Sequence, residues 1–213
     1  MDGVIVDSHP AHRFAWREFL QTIGTKVSER ELDFIVDGRK REDILVHFLG
    51  PLSQVELEQY GRLKDDLFWQ VASEIIPIPG AFEFIEHLHG AGISMAVATS
   101  ASARRTHSML SRAGLLTHFC AVITGEEVRN GKPDPAIYRL ACQRIHCPSN
   151  AAVAVEDAAA GIQAAKGAGL RCVGIAGDKS GEQLTAAGAD CVLPDFVDLT
   201  LRKLRSLVGM QPQ

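Results

Sequence analysis

Apolar residues recur at helical spacing through the first third of the chain. Between residues 11 and 76 the period is three to four, as at Trp16 and Phe19. Ser28 and Ser53 are each followed three residues later by glutamate, the capping-box pattern that begins a helix. The segment is therefore predicted to contain only helices, over about 11–24, 28–38, 41–49 and 53–75.

The pattern changes at Pro77–Gly80, where two prolines and a glycine interrupt the helical spacing. Beyond this point apolar runs of three to six residues alternate with helical segments. The runs are continuous rather than alternating, which indicates strands covered on both faces, as in a parallel sheet. Strands are predicted over 93–98, 121–123, 152–155, 172–175 and 191–193, and helices over about 80–90, 103–113, 135–146, 159–167, 181–187 and 198–208.

These two patterns predict an α/β protein with a doubly wound parallel sheet and an inserted helical unit. The predicted core domain comprises residues 1–10 and 77–213, and the predicted all-helical cap domain comprises residues 11–76. Ligands bind such sheets beyond the carboxyl ends of the strands. The polar residues that follow each strand are therefore the first candidates for a functional site.

Composition narrows the class of protein. The chain has 213 residues, of which 46% are hydrophobic and 23% charged, with a net charge of −4. No basic cluster favours a nucleic-acid partner, and no apolar run approaches the roughly 18 residues of a membrane helix. The five cysteines are odd in number and form no Cys-x-x-Cys pair, so they are interpreted as reduced residues. We expect a cytoplasmic protein that is a monomer, with no nucleic-acid or membrane partner.

Three groups of polar residues follow predicted strands: Thr99 with Ser100, Lys132, and Glu156 with Asp157. Adjacent acids at the end of an apolar strand suit Mg²⁺, which prefers oxygen ligands and keeps open positions for substrate phosphate. Each group also has a simpler interpretation. Thr99 could cap the next helix, Lys132 could be a solvated loop residue, and the two acids could favour a helix N-terminus.

The order of the motifs resolves these alternatives. Asp2-Gly-Val, then Thr99-Ser100, then Gly131-Lys-Pro-Asp-Pro, then Glu156-Asp-Ala-Ala-Ala-Gly resembles the four motifs of the haloacid dehalogenase superfamily, in the branch with a helical cap inserted after the first motif. The resemblance implies a Mg²⁺-dependent phosphomonoesterase that acts on a small phosphorylated metabolite through a phospho-aspartyl intermediate. It assigns catalysis to Asp2, Thr99 and Lys132, and the metal to Asp2, Glu156 and Asp157.

The sequence starts partway through the first family motif. The family nucleophile is an aspartate two positions before Asp2, and the position between them here is Met1. Either the nucleophile and its strand lie upstream of this sequence, which is the favoured alternative, or this is a naturally incomplete member of the family. The chain as given is expected to show little or no turnover. That strand is central in the family fold, so segments 93–98 and 153–155 should lose a shared hydrogen-bonding neighbour.

The predicted cap carries a narrower resemblance. His12, Arg41 and Lys64 fall where β-phosphoglucomutases have residues that handle the proton, the distal phosphate and the sugar. With Ser100, they are the candidate substrate-binding residues. Three hypotheses remain: a sugar-phosphate phosphatase, a β-phosphoglucomutase, and a non-catalytic member that binds a phosphate ligand or another protein.

Overall fold

The computed structural model describes residues 1–72, 75–177 and 180–209. Four helices form the first third: α1 His9–Thr22, α2 Glu29–Ile35, α3 Arg41–Leu49 and α4 Gln54–Val71. The capping boxes at Ser28 and Ser53 are both present, since each serine accepts from a backbone N–H three residues on and each glutamate reaches back. Helix α4 ends at Val71, before the predicted residue 75, and residues 73 and 74 of that prediction lie outside the described part.

The helical segment has a hydrophobic cluster of its own. Its buried members include Trp16, Phe19 and Leu20 from α1, which are at most 2% exposed. Leu32 and Leu45 bring α2 and α3 into the same cluster. The apolar residues at helical spacing therefore lie on the helix faces that pack inward.

A short antiparallel ribbon joins the helical segment to the remainder of the chain. Strand β1, Val6–Asp7, pairs with β2, Ile76–Pro77. The sequence prediction placed no strand at the end of the helical segment and was wrong at this point. Two residues that include a proline show no periodicity, and only their pairing with Val6 and Asp7 defines them as a strand.

The second part of the chain alternates between helix and strand, as predicted. The strands are β3 Ala96–Ala98, β4 Ala121–Ile123, β5 Val153–Glu156, β6 Arg171–Ile175 and β7 Cys191–Leu193. β4 and β7 have the predicted bounds. β3 begins three residues later than predicted, β5 is shifted by one residue, and β6 begins one residue earlier. The helices are α5 Ala81–Gly90, α6 Ala103–Arg112, α7 Ala136–Arg144, α8 Ala159–Gly167, α9 Glu182–Ala186 and α10 Leu201–Leu207.

The parallel strands form two separate sheets. β3 pairs with β4, and β5, β6 and β7 form a second sheet in that order. Within the described residues no ladder joins β3 to β5, which agrees with the expectation that these strands lack a common neighbour. Both strands instead line an apolar cavity of about 590 Å³, which extends from Met1 to helices α5, α7 and α10.

The described part contains no helix that is both long enough and apolar enough to cross a membrane. All five cysteines are free thiols.

Candidate active site

One polar cavity of about 100 Å³ collects every predicted site residue. It lies between the helical segment and the carboxyl ends of the parallel strands. The predicted residues that line it are Asp2, His12, Arg41, Lys64, Thr99, Ser100, Lys132, Glu156 and Asp157. Residues widely separated in sequence thus face a single polar space.

Asp2 is held by three side chains. Arg105 donates from both Nη1 and Nη2 to the two carboxylate oxygens at 2.8 and 2.9 Å, and the Ser8 hydroxyl donates at 2.6 Å. His12 Nε2 lies 3.4 Å from Asp2 Oδ1. Burial alone would raise the pKa of Asp2, but the Arg105 guanidinium and the contact with His12 hold that pKa well below its usual range. Asp2 is therefore a carboxylate in this arrangement.

Glu156 is a buried acid of the site, at 4% exposure. It accepts hydrogen bonds from Lys132 and from the Tyr138 hydroxyl, and Lys132 also donates to the Ala98 carbonyl at 3.3 Å. Burial opposes ionisation of Glu156, yet Lys132 and Tyr138 together lower its pKa. A Cβ at Gly161 would collide with the Glu156 carboxylate, so this glycine is what leaves room for the acid. Glu156 thus fixes the position of the Lys132 ammonium.

Asp157 lies beside the start of the chain. Its carboxylate is 11% exposed and forms an ion pair of 2.9 Å with His9 Nε2. A Cβ at Gly3 would overlap Asp157 Oδ2, so the carboxylate packs directly on the backbone that follows Asp2. Asp157 and the Asp2–Gly3 backbone could therefore share a divalent cation through oxygen ligands. Among the described residues no three His, Cys, Asp or Glu side chains form a ready metal cluster, and Glu156 is engaged by Lys132.

The two hydroxyls after β3 have different partners. The Thr99 side chain accepts from the backbone N–H of Ala101 at 3.2 Å, so its own O–H remains available as a donor. Ser100 donates to the carbonyl of Gly38 at 2.6 Å. Because Gly38 belongs to the helical segment, Ser100 joins that segment to the strand ends. This contact was not part of its predicted role in binding substrate.

Two basic side chains of the helical segment, Lys64 and Arg41, line the same cavity as Asp2. Lys64 is 3% exposed, and its Nζ lies 3.1 Å from His12 Nδ1 and 3.5 Å from Asp65 Oδ1. Arg41 pairs with Asp65 at 3.1 Å. Burial, with the nearby Lys64 and Arg105, lowers the pKa of His12 to about 3, so this ring is neutral at pH 7.

Sequence reasoning missed three residues of the site: Arg105, Tyr138 and His9. One signal for Arg105 was available. It lies in the first turn of α6, three residues after the N-cap Ser102, where the helix dipole disfavours a cation. An arginine at that position needs an anionic partner from elsewhere. No local signal distinguishes Tyr138 from an ordinary core tyrosine.

Lys64 offers a test of the site's electrostatics through stability. Burial and the Arg105 charge lower the pKa of Lys64 to about 7. The unfolded chain then binds more protons than the folded one between about pH 7 and its usual pKa near 10.4, so stability from this group rises with pH across that window. We expect Lys64→Met to increase the free energy of unfolding at pH 7 by about 1–4 kcal/mol, and by much less at pH 10.

Urea unfolding of the two proteins at pH 7 and pH 10 measures this effect. Lys26→Met, at an exposed lysine, is the matched control and should change neither value appreciably. A Lys64→Met protein less stable than the wild type at pH 7 would contradict the assigned penalty.

Comparison with known proteins agrees with this geometry. The profile of the haloacid dehalogenase-like hydrolases matches residues 1–175. The phosphorylated carbohydrates phosphatase of Thermotoga maritima is 31% identical over 192 residues, covering 89% of each chain. The β-phosphoglucomutase of Bacillus subtilis is 28% identical and covers 96% of this chain and 91% of that protein.

Solved structures give the same result. CbbY from Rhodobacter sphaeroides in complex with phosphate superposes with a TM-score of 0.84 at 30% identity, covering 96% of each chain. A CbbY mutant in complex with xylulose 1,5-bisphosphate superposes with a TM-score of 0.84 at 29% identity and the same coverage. The chain belongs to the haloacid dehalogenase-like hydrolases. Its enzyme class is that of the phosphatases and phosphotransferases of this family.

Proposed function

We propose that this protein is a Mg²⁺-dependent phosphomonoesterase of small sugar phosphates, working through a phospho-aspartyl intermediate. The observation that carries the proposal is the meeting of Asp2, Thr99, Lys132 and Asp157 around one cavity. A phosphate monoester resists attack because its oxygens are anionic, so cations and a proton donor must be positioned around it. The named relatives include a carbohydrate phosphatase, which supports the same class of substrate.

Each side chain has a distinct task in this proposal. Asp2 is a carboxylate while Arg105 holds it, so it would first take up a proton from solvent as it turns away from Arg105. It would then give this proton to the leaving oxygen and, as a carboxylate again, activate water. Lys132, oriented by Glu156, and the Thr99 hydroxyl hold the oxygens of the phosphoryl group. The attacking aspartate belongs to the position two before Asp2, which precedes the first residue of this sequence.

Asp157 and the backbone carbonyl of Asp2 are the proposed ligands of Mg²⁺. Glu156 could bind the cation only if its carboxylate moved away from Lys132. The contact between Asp157 and the Gly3 backbone supports this assignment. When bound, the cation would neutralise charge on the phosphoryl oxygens. When the cation binds, His9 would either release Asp157 or stay in contact with the Asp157 carboxylate oxygen that does not bind the cation.

Residues 11–76 are proposed to act as the cap, and residues 1–10 with 77–213 as the catalytic core. The two connections pair side by side as β1 and β2, which supports hinges at these connections. The polar cavity lies between these two segments. Closure of the cap over a bound substrate would exclude water from it.

A β-phosphoglucomutase is the second candidate, favoured by His12, Arg41 and Lys64 lining the cavity. In that reaction the phosphoryl group returns to another hydroxyl of the sugar before water reaches it. With β-glucose 1-phosphate and glucose 1,6-bisphosphate supplied to an active form, glucose 6-phosphate would indicate the mutase, and release of inorganic phosphate would indicate the phosphatase.

Asp157→Asn tests the metal and phosphate site without requiring turnover. We expect Mg²⁺ to strengthen binding of inorganic phosphate to the wild type, and Asp157→Asn to weaken that Mg²⁺-dependent binding at least about tenfold, because one anionic oxygen ligand is lost. Calorimetric titration with phosphate, with and without MgCl₂, gives both affinities. Asp66→Asn, at an exposed residue of α4, is the control. Mg²⁺-independent phosphate binding in the wild type would refute the metal assignment.

A further inference from the structure

We infer that Cys142 and Cys147 form a redox site, at which a small disulfide such as oxidised glutathione converts the two thiols of the folded chain into an intramolecular disulfide. Both cysteines are free thiols in this structure. The residues that line the polar cavity all lie outside the segment 139–149. The redox site is therefore separate from the candidate active site and does not depend on the proposed phosphatase activity.

The turn after helix α7 brings the two cysteines together. Cys147 N donates to Cys142 O at 3.0 Å, and His146 N donates to Gln143 O at 3.2 Å. Because α7 ends at Arg144, these two bonds form a Schellman motif, in which the side chains at the positions of Cys142 and Cys147 frequently pack together. The first bond also limits the distance between the two Cα atoms to at most about 6.9 Å, given standard covalent bond lengths. A disulfide requires Cα atoms closer than about 7 Å, so the two residues are within its reach.

Tertiary packing holds this turn in addition to its two hydrogen bonds. His146 has a φ of 53°, in the left-handed region, where a residue with a Cβ is disfavoured and glycine is the usual choice. The turn therefore needs support from its neighbours. Cys142 supplies part of it, since it is buried in the hydrophobic cluster that joins α7 to α8 and β6. The fold thus holds the two cysteines closer together than a spacing of five residues would hold them in an unfolded chain.

The two thiols differ in their access to solvent, and this difference sets the order of reaction. Cys147 is partly exposed, whereas Cys142 is 7% exposed. Burial raises the pKa of the Cys142 thiol, a hydrogen bond with Ser149 lowers it, and the neighbouring Cys147 raises it. The effect of Cys147 agrees with the proximity of the two side chains. A dissolved disulfide would therefore meet Cys147 first, and Cys142 would act as the resolving thiol.

Two exchange steps form the bridge. Cys147 loses its proton and attacks one sulfur of oxidised glutathione, so the glutathione S–S bond breaks and one glutathione leaves and takes up a proton. Cys142 then loses its proton and attacks Cys147 Sγ, which releases the second glutathione as a thiol. Two cysteine sulfurs are oxidised while one disulfide is reduced to two thiols, so electrons and protons balance. An excess of reduced glutathione reverses both steps.

Peptide mapping of the wild-type chain tests the site. The reduced protein is equilibrated with glutathione buffers of increasing oxidised fraction, its remaining thiols are alkylated, and it is digested with trypsin without reduction. Cleavage after Arg144 separates Cys142, in peptide 140–144, from Cys147, in peptide 145–166. We expect the two peptides to stay joined after oxidation and to separate when dithiothreitol is added. Cys142→Ala should instead accumulate a glutathione adduct on Cys147, and absence of that adduct would contradict the order of attack.

The same equilibration in concentrated urea measures the contribution of the fold. The equilibrium constant for bridge formation is expected to be at least about tenfold larger in the folded chain, because the turn already holds the two residues within disulfide distance. Cys120→Ser, at an exposed cysteine, is the control and should keep the wild-type bridge. The inference is overturned by any of three results: no joined peptides from the folded wild type, an equilibrium constant no larger than in urea, or loss of the bridge in Cys120→Ser. The wild-type measurements decide even if Cys142→Ala does not fold.

Discussion

A chain extended by about five apolar residues and a final aspartate directly before Met1 is expected to unfold at markedly higher denaturant concentration and to gain phosphatase activity. The reason is the apolar cavity of about 590 Å³ between β3 and β5. Its walls include the unpaired edges of both strands, and Met1 lies at its end. A parallel strand of about five residues spans roughly 16 Å and would fill this space while pairing with both edges.

The expected gain in stability is at least about 2 kcal/mol, since the burial of several apolar side chains exceeds the cost of ordering their backbone. The expected gain in turnover is on the order of 1000-fold or more, because the last added residue would place a carboxylate two positions before Asp2. Urea unfolding and phosphate release from a sugar phosphate measure the two effects.

A matched extension that ends in asparagine separates the two effects. It should be as stable as the aspartate form but remain inactive, since it restores the strand without the nucleophile. An extension with polar residues on both faces should give neither gain. If the apolar extension does not stabilise the protein, the cavity is not a site for a strand, and the split between the two sheets needs another explanation.

Asp2→Asn in the extended chain is expected to lower turnover by on the order of 100- to 10,000-fold, the usual contribution of a positioned acid-base group. The asparagine keeps the size of the side chain, and its oxygen can still accept from Arg105 Nη1 and Ser8. Its amide nitrogen would face the Arg105 Nη2 donor and the anion is lost, so stability is expected to fall as well. What it cannot do is deliver a proton to the leaving oxygen. Steady-state kinetics with a sugar phosphate measure the change.

Phosphate affinity and the free energy of unfolding of Asp2→Asn should be measured beside its turnover. Asp66→Asn in the same extended chain is the control for loss of a carboxylate and should keep full turnover. An Asp2→Asn enzyme with wild-type turnover would remove Asp2 from the mechanism, whatever its effect on stability.

The residues that the sequence singled out line one cavity, but several of their contacts were not predictable. Thr99, Lys132 and Asp157 could be assigned to one rim, because parallel strands bring their carboxyl ends together. Whether Ser100 meets a ligand or the cap was not encoded locally, and the structure places its hydroxyl on Gly38. Likewise, the side chain of Tyr138 has the spacing of a core residue, and only its hydroxyl reveals its role at Glu156.

The sequence by itself determined the order of helices and strands, the capping boxes at Ser28 and Ser53, and the set of charged residues that follow the strands. These features depend on the period of apolar residues and on contacts within a few positions, which can be read along the chain. Tertiary structure alone decided that Arg105 binds Asp2, 103 positions away, and that the Ser100 hydroxyl binds the Gly38 carbonyl. Such pairings depend on which surfaces fold against each other, and no local spacing specifies them.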